Sequence, residues 1–338
     1  MGTQGAAQLL SEPRAPEPRR VGPRALSERD FRLFQRLVYR EAGIHLSDIK
    51  RVLVEGRLSR RLRELELDFR GYYALVERDE QERIRLVDAI STNETHFFRE
   101  PRQFEFLETQ VYPEWEARAA AGRMARRVRV WSAACSTGEE PYSIAMSFLA
   151  RFPPETGWQL EILATDISTR VLERAREAVY ALDKAKEIPT RYLRAFMLKG
   201  RGAQDGRMKA GPEIRSVVRF GRVNLNAETL AVPGPFDLIL CRNVLIYFDA
   251  ASKARVLDRL LERLEPQGYL LLGHAEAMVG MSARTRSVGP TAYVHAPSRH
   301  ESGARRASGI LDSAARIPDA PRPAAAAARG AGRGRSIT

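Results

Sequence analysis

Apolar positions in the first part of the chain recur at helical spacing. Phe31, Phe34, Leu37 and Val38 mark one face of a helix that Ser27 caps, with Asp30 at the capping-box position and Gly43 as its stop. A second helix is predicted from Ser47 or Asp48 to about Leu65, with Val52, Leu53, Leu58 and Leu62 facing inward, and two shorter ones over Tyr72 to Glu77 and Glu80 to Ile90. These make a small all-α unit over residues 25–95. A linking helix, Pro101 to about Ala121, leads out of it.

Beyond that helix, strand-like and helix-like segments alternate. Strands are predicted over Val128 to Ser132, Gln159 to Thr165, Val217 to Val223, Phe236 to Cys241, Tyr269 to His274 and Ala292 to His295. Helices are predicted over Pro141 to Arg151, Ser168 to Glu177 and Ala250 to Leu264. The alternation predicts an α/β fold over 96–297, a mostly parallel, doubly wound Rossmann-like sheet whose strand ends share one ligand-binding edge. Tyr192 to Arg219, with Gly200, Gly202 and Gly206, breaks the rhythm and reads as a short hairpin elaboration rather than a clean helix. It is either a surface elaboration or a docking element whose sheet edge accepts a peptide.

Composition adds bounds. The 338 residues, 44% hydrophobic, suffice for two domains with proper cores. No apolar run is long enough for a membrane helix and the N-terminus lacks a signal-peptide core, so a cytoplasmic protein is expected. Cys135 and Cys241 read as buried reduced thiols, and the five histidines lack ligand spacing, so no metal is predicted. The net charge of +13 lies partly in Pro- and Arg-rich ends, 1–24 and 298–338, which are expected to be disordered. A second basic cluster, Lys50, Arg51, Arg57, Arg60, Arg61 and Arg63, falls on one predicted helix. It is either a solvated face or a surface for an acidic partner.

The chemistry centres on Val128 to Tyr142, a strand that runs through a small-residue turn into a helix opened by Pro141. Neither G-x-G-x-x-G nor Gly-Lys-Ser/Thr is present. Gly138 is followed instead by Glu139 and Glu140, which would repel phosphate. The turn is either a helix start whose acidic residues complement the dipole or a site for a cationic adenosine compound without phosphate, such as S-adenosylmethionine. Asp166 closes the second strand, where a carboxylate can accept ribose hydroxyls or cap the next helix. Asn224 and Leu225 follow the third strand, and Arg242, Asn243 and Tyr247 follow the fourth.

S-A-A-C-S-T-G-E-E-P-Y-S-I-A-M, A-T-D-I, P-F-D-L-I-L-C-R-N-V-L-I-Y-F-D and S-T-N-E-T-H-F-F-R-E together resemble the CheR-type chemotaxis receptor methyltransferases, over roughly Leu26 to Ala296. The resemblance implies a helical N-terminal domain, a Rossmann-like domain with an inserted β-subdomain, and S-adenosylmethionine-dependent methylation of receptor glutamates. Carried onto this sequence, it implies that Asn93, Thr95, Arg99, Glu140 (or Glu139), Asp166, Asn224, Leu225, Arg242 and Asn243 hold the cofactor. Arg99 and Tyr247 would position the acceptor carboxylate, and Lys50, Arg57 and Arg63 would meet the cytoplasmic part of the receptor. The β-subdomain would dock the receptor's C-terminal peptide, with the enzyme a monomer. Two departures are visible, Ala275 within G-H-A-E and Ser91 before Thr92.

Two other classes compete. A non-catalytic module could sense S-adenosylmethionine or S-adenosylhomocysteine, although Arg99 and Tyr247 are both retained. A nucleic-acid methyltransferase would suit the charge, but R-N-V-L-I-Y stands where base-methylating enzymes carry an N-P-P-Y type of motif.

Overall fold

The computed structural model describes residues 25–276 and 284–296. The arm and tail expected over 1–24 and 298–338 lie outside the described residues.

Ser27 caps α1 (Glu28–Ala42), its Oγ accepting from Asp30 N at 3.1 Å, and Gly43 ends the helix at φ +71°. A 3-10 turn then feeds α2 (Arg51–Leu65), followed by α3 (Phe69–Arg78) and α4 (Glu80–Ile90). Phe34 packs among Phe69, Tyr72 and Tyr73, and Val54, Leu58 and Leu62 complete this core. Burial therefore corrects the expected inward face of α2. Val52 is 75% exposed and Leu53 36%, beside Ile49 at 91%. Leu58 and Leu62 are buried as expected, and Val54 takes the inward place expected of Val52 and Leu53.

The linking helix runs as expected from Pro101 to Ala120, but its pitch changes part-way. α5 (Pro101–Phe106) and α6 (Tyr112–Ala120) are joined by a π turn over Leu107–Val111. Pro113 explains the widening, since it has no N–H for the α-helical ladder and its ring crowds the preceding turn.

The second layer is a seven-stranded sheet. Its elements follow as β1 (Arg127–Ala133), α7 (Glu139–Arg151), β2 (Gln159–Asp166), α8 (Thr169–Glu177), β3 (Val179–Ala181), α9 (Thr190–Phe196), β4 (Met197–Lys199) and β5 (Arg207–Ala210). Then come α10 (Pro212–Ser216), β6 (Val218–Arg222), β7 (Phe236–Cys241), α11 (Ala250–Glu262), β8 (Leu264–Leu272), β9 (Thr285–Gly289) and β10 (Ala292–His295). The strand order is β6-β2-β1-β7-β8-β10-β9; the first five run parallel, β10 pairs antiparallel with β8, and β9 pairs antiparallel with β10. Order reverses between β1 and β7, the position at which such sheets bind ligands. β9, rich in Arg, Ser and Gly, is missing from the sequence reading, and β8 begins at Leu264 rather than Tyr269.

The insertion is larger than a hairpin and begins earlier. β3, β5 and β4 form a separate antiparallel sheet in that order, so Val179–Ala181 belongs to it, while Thr190–Phe196 is helical. Gly200 has a steric reason, because a Cβ there would lie 2.0 Å from Gln204 O.

The helical unit is tied to the sheet layer at several points. Asp88 of α4 accepts from Thr169 N and Oγ1 at the start of α8, at 3.1 and 2.9 Å. Tyr39 donates to Asp249 Oδ2 at 2.8 Å. A Cβ on Gly43 would lie 2.6 Å from Asn226 Cγ and 2.8 Å from Phe248 Cε1, so this glycine permits close approach of the two parts as well as a left-handed cap. Gly56, inside α2, has nothing within 4 Å of the position a Cβ would take. The two glycines should respond oppositely in urea unfolding. Gly43→Ala is expected to destabilise by about 2–4 kcal/mol through αL strain and overlap, and Gly56→Ala to stabilise by about 0.5–1 kcal/mol. Equal or reversed effects would contradict this packing.

Candidate active site

Beyond Ala133 the chain enters a turn in which Ala134, Ser136 and Gly138 hold φ of 72°, 49° and 94°. Strand β2 fixes that shape. Ala134 N and Cys135 N both donate to Thr165 O at 2.8 Å, and Ser136 N donates to Asp166 Oδ2 at 2.9 Å. Gly138 N donates to Cys135 O at 3.1 Å. These four N–H groups are satisfied by the chain and do not form a cradle for phosphate. Asp166 Oδ1 also accepts from Ser168 N at 2.9 Å, while Ser168 Oγ caps α8 through Val171 N. Burial pushes the Asp166 carboxyl above the usual carboxylate range, against the pull of those N–H bonds.

The adjacent glutamates diverge. Glu140 lines the cleft at the sheet edge. Its Oε1 accepts from Ser132 Oγ at 2.6 Å and its Oε2 lies 3.4 Å from Arg242 Nε. Burial raises its pKa, opposed by Arg242. Glu139 is buried on the other side, bonded to Lys184 Nζ at 2.5 Å and to Thr137 Oγ1 at 2.6 Å. Of the pair left open by the sequence, Glu140 is the one at the cleft.

The segment between α4 and α5 forms one wall. Asn93, Thr95 and Arg99 line it, and Arg99 Nη1 donates to Glu94 O at 3.0 Å. Asn224 and Leu225, after β6, line the opposite wall. Asn224 is partly committed to the chain, donating to Glu41 O at 2.6 Å and accepting from Asn226 N at 2.9 Å. An amide retains one donor and one acceptor position after such bonds.

After β7, Arg242 is buried and Asn243 takes a φ of +59°, both lining the cleft. Asn243 Oδ1 is a buried acceptor without a hydrogen-bond partner. The loop is braced by buried Glu276, which accepts from Asn243 N, Leu245 N and Gly273 N at 2.7, 2.6 and 2.8 Å. Sequence reasoning gave Glu276 no role; the one available signal was its place in G-H-A-E. Ser132 and Ser136, which hold Glu140 and Asn93 O respectively, were missed although both lie in the S-A-A-C-S turn that sequence reasoning singled out.

Tyr247 stands at the mouth, with Lys50 Nζ 5.4 Å from its ring centroid, and both line the cleft. Arg57 and Arg63 do not. Arg57 turns inward, donating to Ile90 O, to Ser91 O at 3.1 Å and to Thr92 Oγ1 at 3.0 Å. Arg61 pairs with buried Glu82, and Arg60 with Glu64 at 2.9 Å, so the basic row of α2 is largely engaged within the chain. Arg63 is exposed, its Nε donating to Ser59 O at 3.2 Å.

The arrangement is thus a strand-edge cleft with the buried carboxylate of Asp166 and the partly buried one of Glu140 at its floor, and Arg99, Lys50 and Tyr247 also lining it. Known proteins similar to the chain are of one kind. Residues 29–91 match the family model described as CheR methyltransferase, all-alpha domain, and residues 93–294 match CheR methyltransferase, SAM binding domain. A chemotaxis protein methyltransferase of Escherichia coli (strain K12) is 39% identical over 272 residues, 80% of this chain and 91% of that protein. Chemotaxis protein methyltransferase 2 of Pseudomonas aeruginosa is 39% identical over 268 residues, 78% of this chain and 92% of that one. A chemotaxis protein methyltransferase of Borreliella burgdorferi is 36% identical over 249 residues, 72% and 87% of the two chains. With both domains matched in order and the alignment spanning most of each relative, the chain belongs to the CheR methyltransferase family.

Proposed function

We propose that this protein transfers the methyl group of S-adenosylmethionine to glutamate side chains of methyl-accepting chemotaxis receptors, acting in the cytoplasm as a monomer. The products are glutamate methyl esters and S-adenosylhomocysteine. The observation that carries this reading is the turn after β1, whose first three amides, at Ala134, Cys135 and Ser136, are taken by β2 while Glu140 and Asp166 line the cleft. Such a floor suits an adenosine ligand with its own positive charge and disfavours a phosphate.

The residues present fit S-adenosylmethionine. Asp166, fixed through both oxygens by N–H donors, would accept the ribose hydroxyls, and Glu140 would hold the cationic methionine end. The unpartnered Asn243 Oδ1 is an acceptor that a polar ligand group would satisfy. Asn93, Thr95, Asn224, Leu225 and Arg242 would complete the walls. When bound, the cofactor supplies a methyl group on a sulfonium sulfur.

The protein's own task is then placement. A receptor glutamate, with a reference pKa of about 4.3, is ionised at neutral pH and is itself the nucleophile. Arg99 would hold one carboxylate oxygen and Tyr247 would donate to it, leaving the other oxygen in line with the methyl. Orientation of this kind contributes up to about 7–11 kcal/mol to such barriers. No proton has to move.

The exposed end of α2 suits the acceptor helix. Ile49, Val52 and Leu53 lie beside Lys50 at the mouth, with exposed Arg63 further along. An acidic helix with an apolar flank complements both features. The β-subdomain, whose edge strand β4 carries exposed Leu198, would take the receptor's C-terminal peptide.

Transfer of labelled methyl to receptor-containing membranes tests the reading. Base-labile label is expected with the native protein, and Arg99→Ala is expected to lower kcat/KM by at least about a hundredfold. Undiminished labelling would remove Arg99 from the site. Val52→Asp should raise the KM for receptor about fivefold or more while leaving S-adenosylhomocysteine affinity unchanged; an unchanged KM would take the apolar end of α2 out of docking.

A pH dependence follows from the two raised carboxyls. In the ligand-free protein, Asp166 and Glu140 keep protons that the unfolded chain has already released. They therefore lower stability as pH rises from the ordinary carboxylate value through their own. Binding that requires both ionised restores this. The gain in Tm given by saturating S-adenosylhomocysteine should grow with pH across the acid range and level off once both are ionised. A gain that shrinks over that range would contradict it.

A further inference from the structure

The segment that walls the cleft, residues 90–99, has no regular structure of its own from Ser91 to Thr95. Its backbone carbonyls are nevertheless held from several directions. Arg57 of α2 donates to Ile90 O and Ser91 O, and its second arm reaches Thr92 Oγ1. Ser136 Oγ donates to Asn93 O at 3.0 Å, Lys184 Nζ to Thr95 O at 3.3 Å and Arg242 Nη2 to Arg99 O at 2.5 Å. Lys184, from the 3-10 segment between β3 and α9, is itself fixed by buried Glu139 at 2.5 Å. Two of these anchors, Arg57 and the Glu139–Lys184 pair, lie off the cleft floor and approach the strap from opposite parts of the molecule.

Resting on the reading that this cleft holds S-adenosylmethionine, we propose that Arg57 and the Glu139–Lys184 pair are positioning residues for the cofactor. They hold the Ile90–Arg99 strap so that Asn93, Thr95 and Arg99 face it. For Arg57 this replaces contact with the receptor, which the family resemblance implied. Its guanidinium fork already serves three acceptors on the strap, a geometry that an ammonium cannot reproduce. For Glu139 it gives a buried carboxylate a task separate from that of Glu140. One glutamate of the pair faces the ligand; the other, through Lys184, secures the wall opposite.

The test is calorimetric titration of S-adenosylhomocysteine into the full-length protein and three variants: Arg57→Ala, Arg57→Lys and the double change Glu139→Gln with Lys184→Met. The double change avoids stranding a buried charge. Methyl-transfer kinetics are measured alongside. All three variants are expected to raise the Kd for S-adenosylhomocysteine and the KM for S-adenosylmethionine at least about tenfold, with the KM for receptor within about twofold. Failure of Lys to rescue position 57 is part of the expectation. Native Kd in the variants, or a raised receptor KM with native Kd, would overturn the proposal. So would a loss confined to binding stoichiometry and kcat, which is what lowered stability alone produces. If Arg57→Ala gives no melting transition, the double variant decides, because it reaches the strap from the other side. Native protein that fails to bind S-adenosylhomocysteine would instead sink the assignment of the cleft.

Discussion

A single buried carboxylate shapes the cleft on which everything else depends. Asp166 accepts from Ser136 N across the gap between β1 and β2 and from Ser168 N at the start of α8. The first bond, with the two amides given to Thr165 O, folds the turn after β1 back onto β2. That leaves the turn with a lining of small residues and carboxylate where a phosphate-binding loop would present bare N–H groups. The arrangement carries a cost, since burial raises the pKa of both Asp166 and Glu140. A site that destabilises its own charges in the empty state is one that a cationic ligand stabilises on binding.

The helical unit is part of the site because its ties run to the elements that build the cleft. Asp88 caps α8, the helix that follows Asp166, and Asn224 at the cleft wall donates to Glu41 O at the end of α1. Gly43 lets α1 close onto Asn226 and Phe248, and His45 N donates to Tyr247 O at 2.8 Å. On the proposed reading, chemistry and acceptor docking share one framework. The end of α2 that exposes Ile49 and Val52 also contributes Lys50 and Leu53 to the cleft mouth.

Much of this was legible in the chain, for identifiable reasons. Buried parallel strands such as Phe236–Cys241 announce themselves as apolar runs, and the acidic turn at Glu139-Glu140 argued against phosphate before any geometry was known. The parallel sheet, its helices and the clustering of Asn93, Thr95, Arg99, Glu140, Asp166, Arg242 and Asn243 at one edge follow the reading of the sequence. What escaped it depends on contacts between distant residues. Val52 and Leu53 fit an inward helical face as well as Val54 does, and only packing against α4 and the shared helical core decides the rotation of α2. β3, which starts the β-subdomain at Val179, is three residues long and gains its hydrogen bonds from β5, some distance along the chain, while β9 is a short segment whose Arg, Ser and Gly give little strand signal until it pairs with β10. Arg57 looked like one more member of a basic row, because sequence records its charge and not the carbonyls at Ile90 and Ser91 that it meets. The division of labour between Glu139 and Glu140 needed the position of Lys184.

The most direct test of the account compares ligands that share adenosine and differ in charge. Titrated calorimetrically into the full-length protein, S-adenosylhomocysteine should bind with one-to-one stoichiometry and adenosine diphosphate at least about a hundredfold more weakly, since the floor offers carboxylates to the second ligand's phosphates. Adenosine diphosphate binding as tightly as S-adenosylhomocysteine, or no binding of S-adenosylhomocysteine, would contradict it.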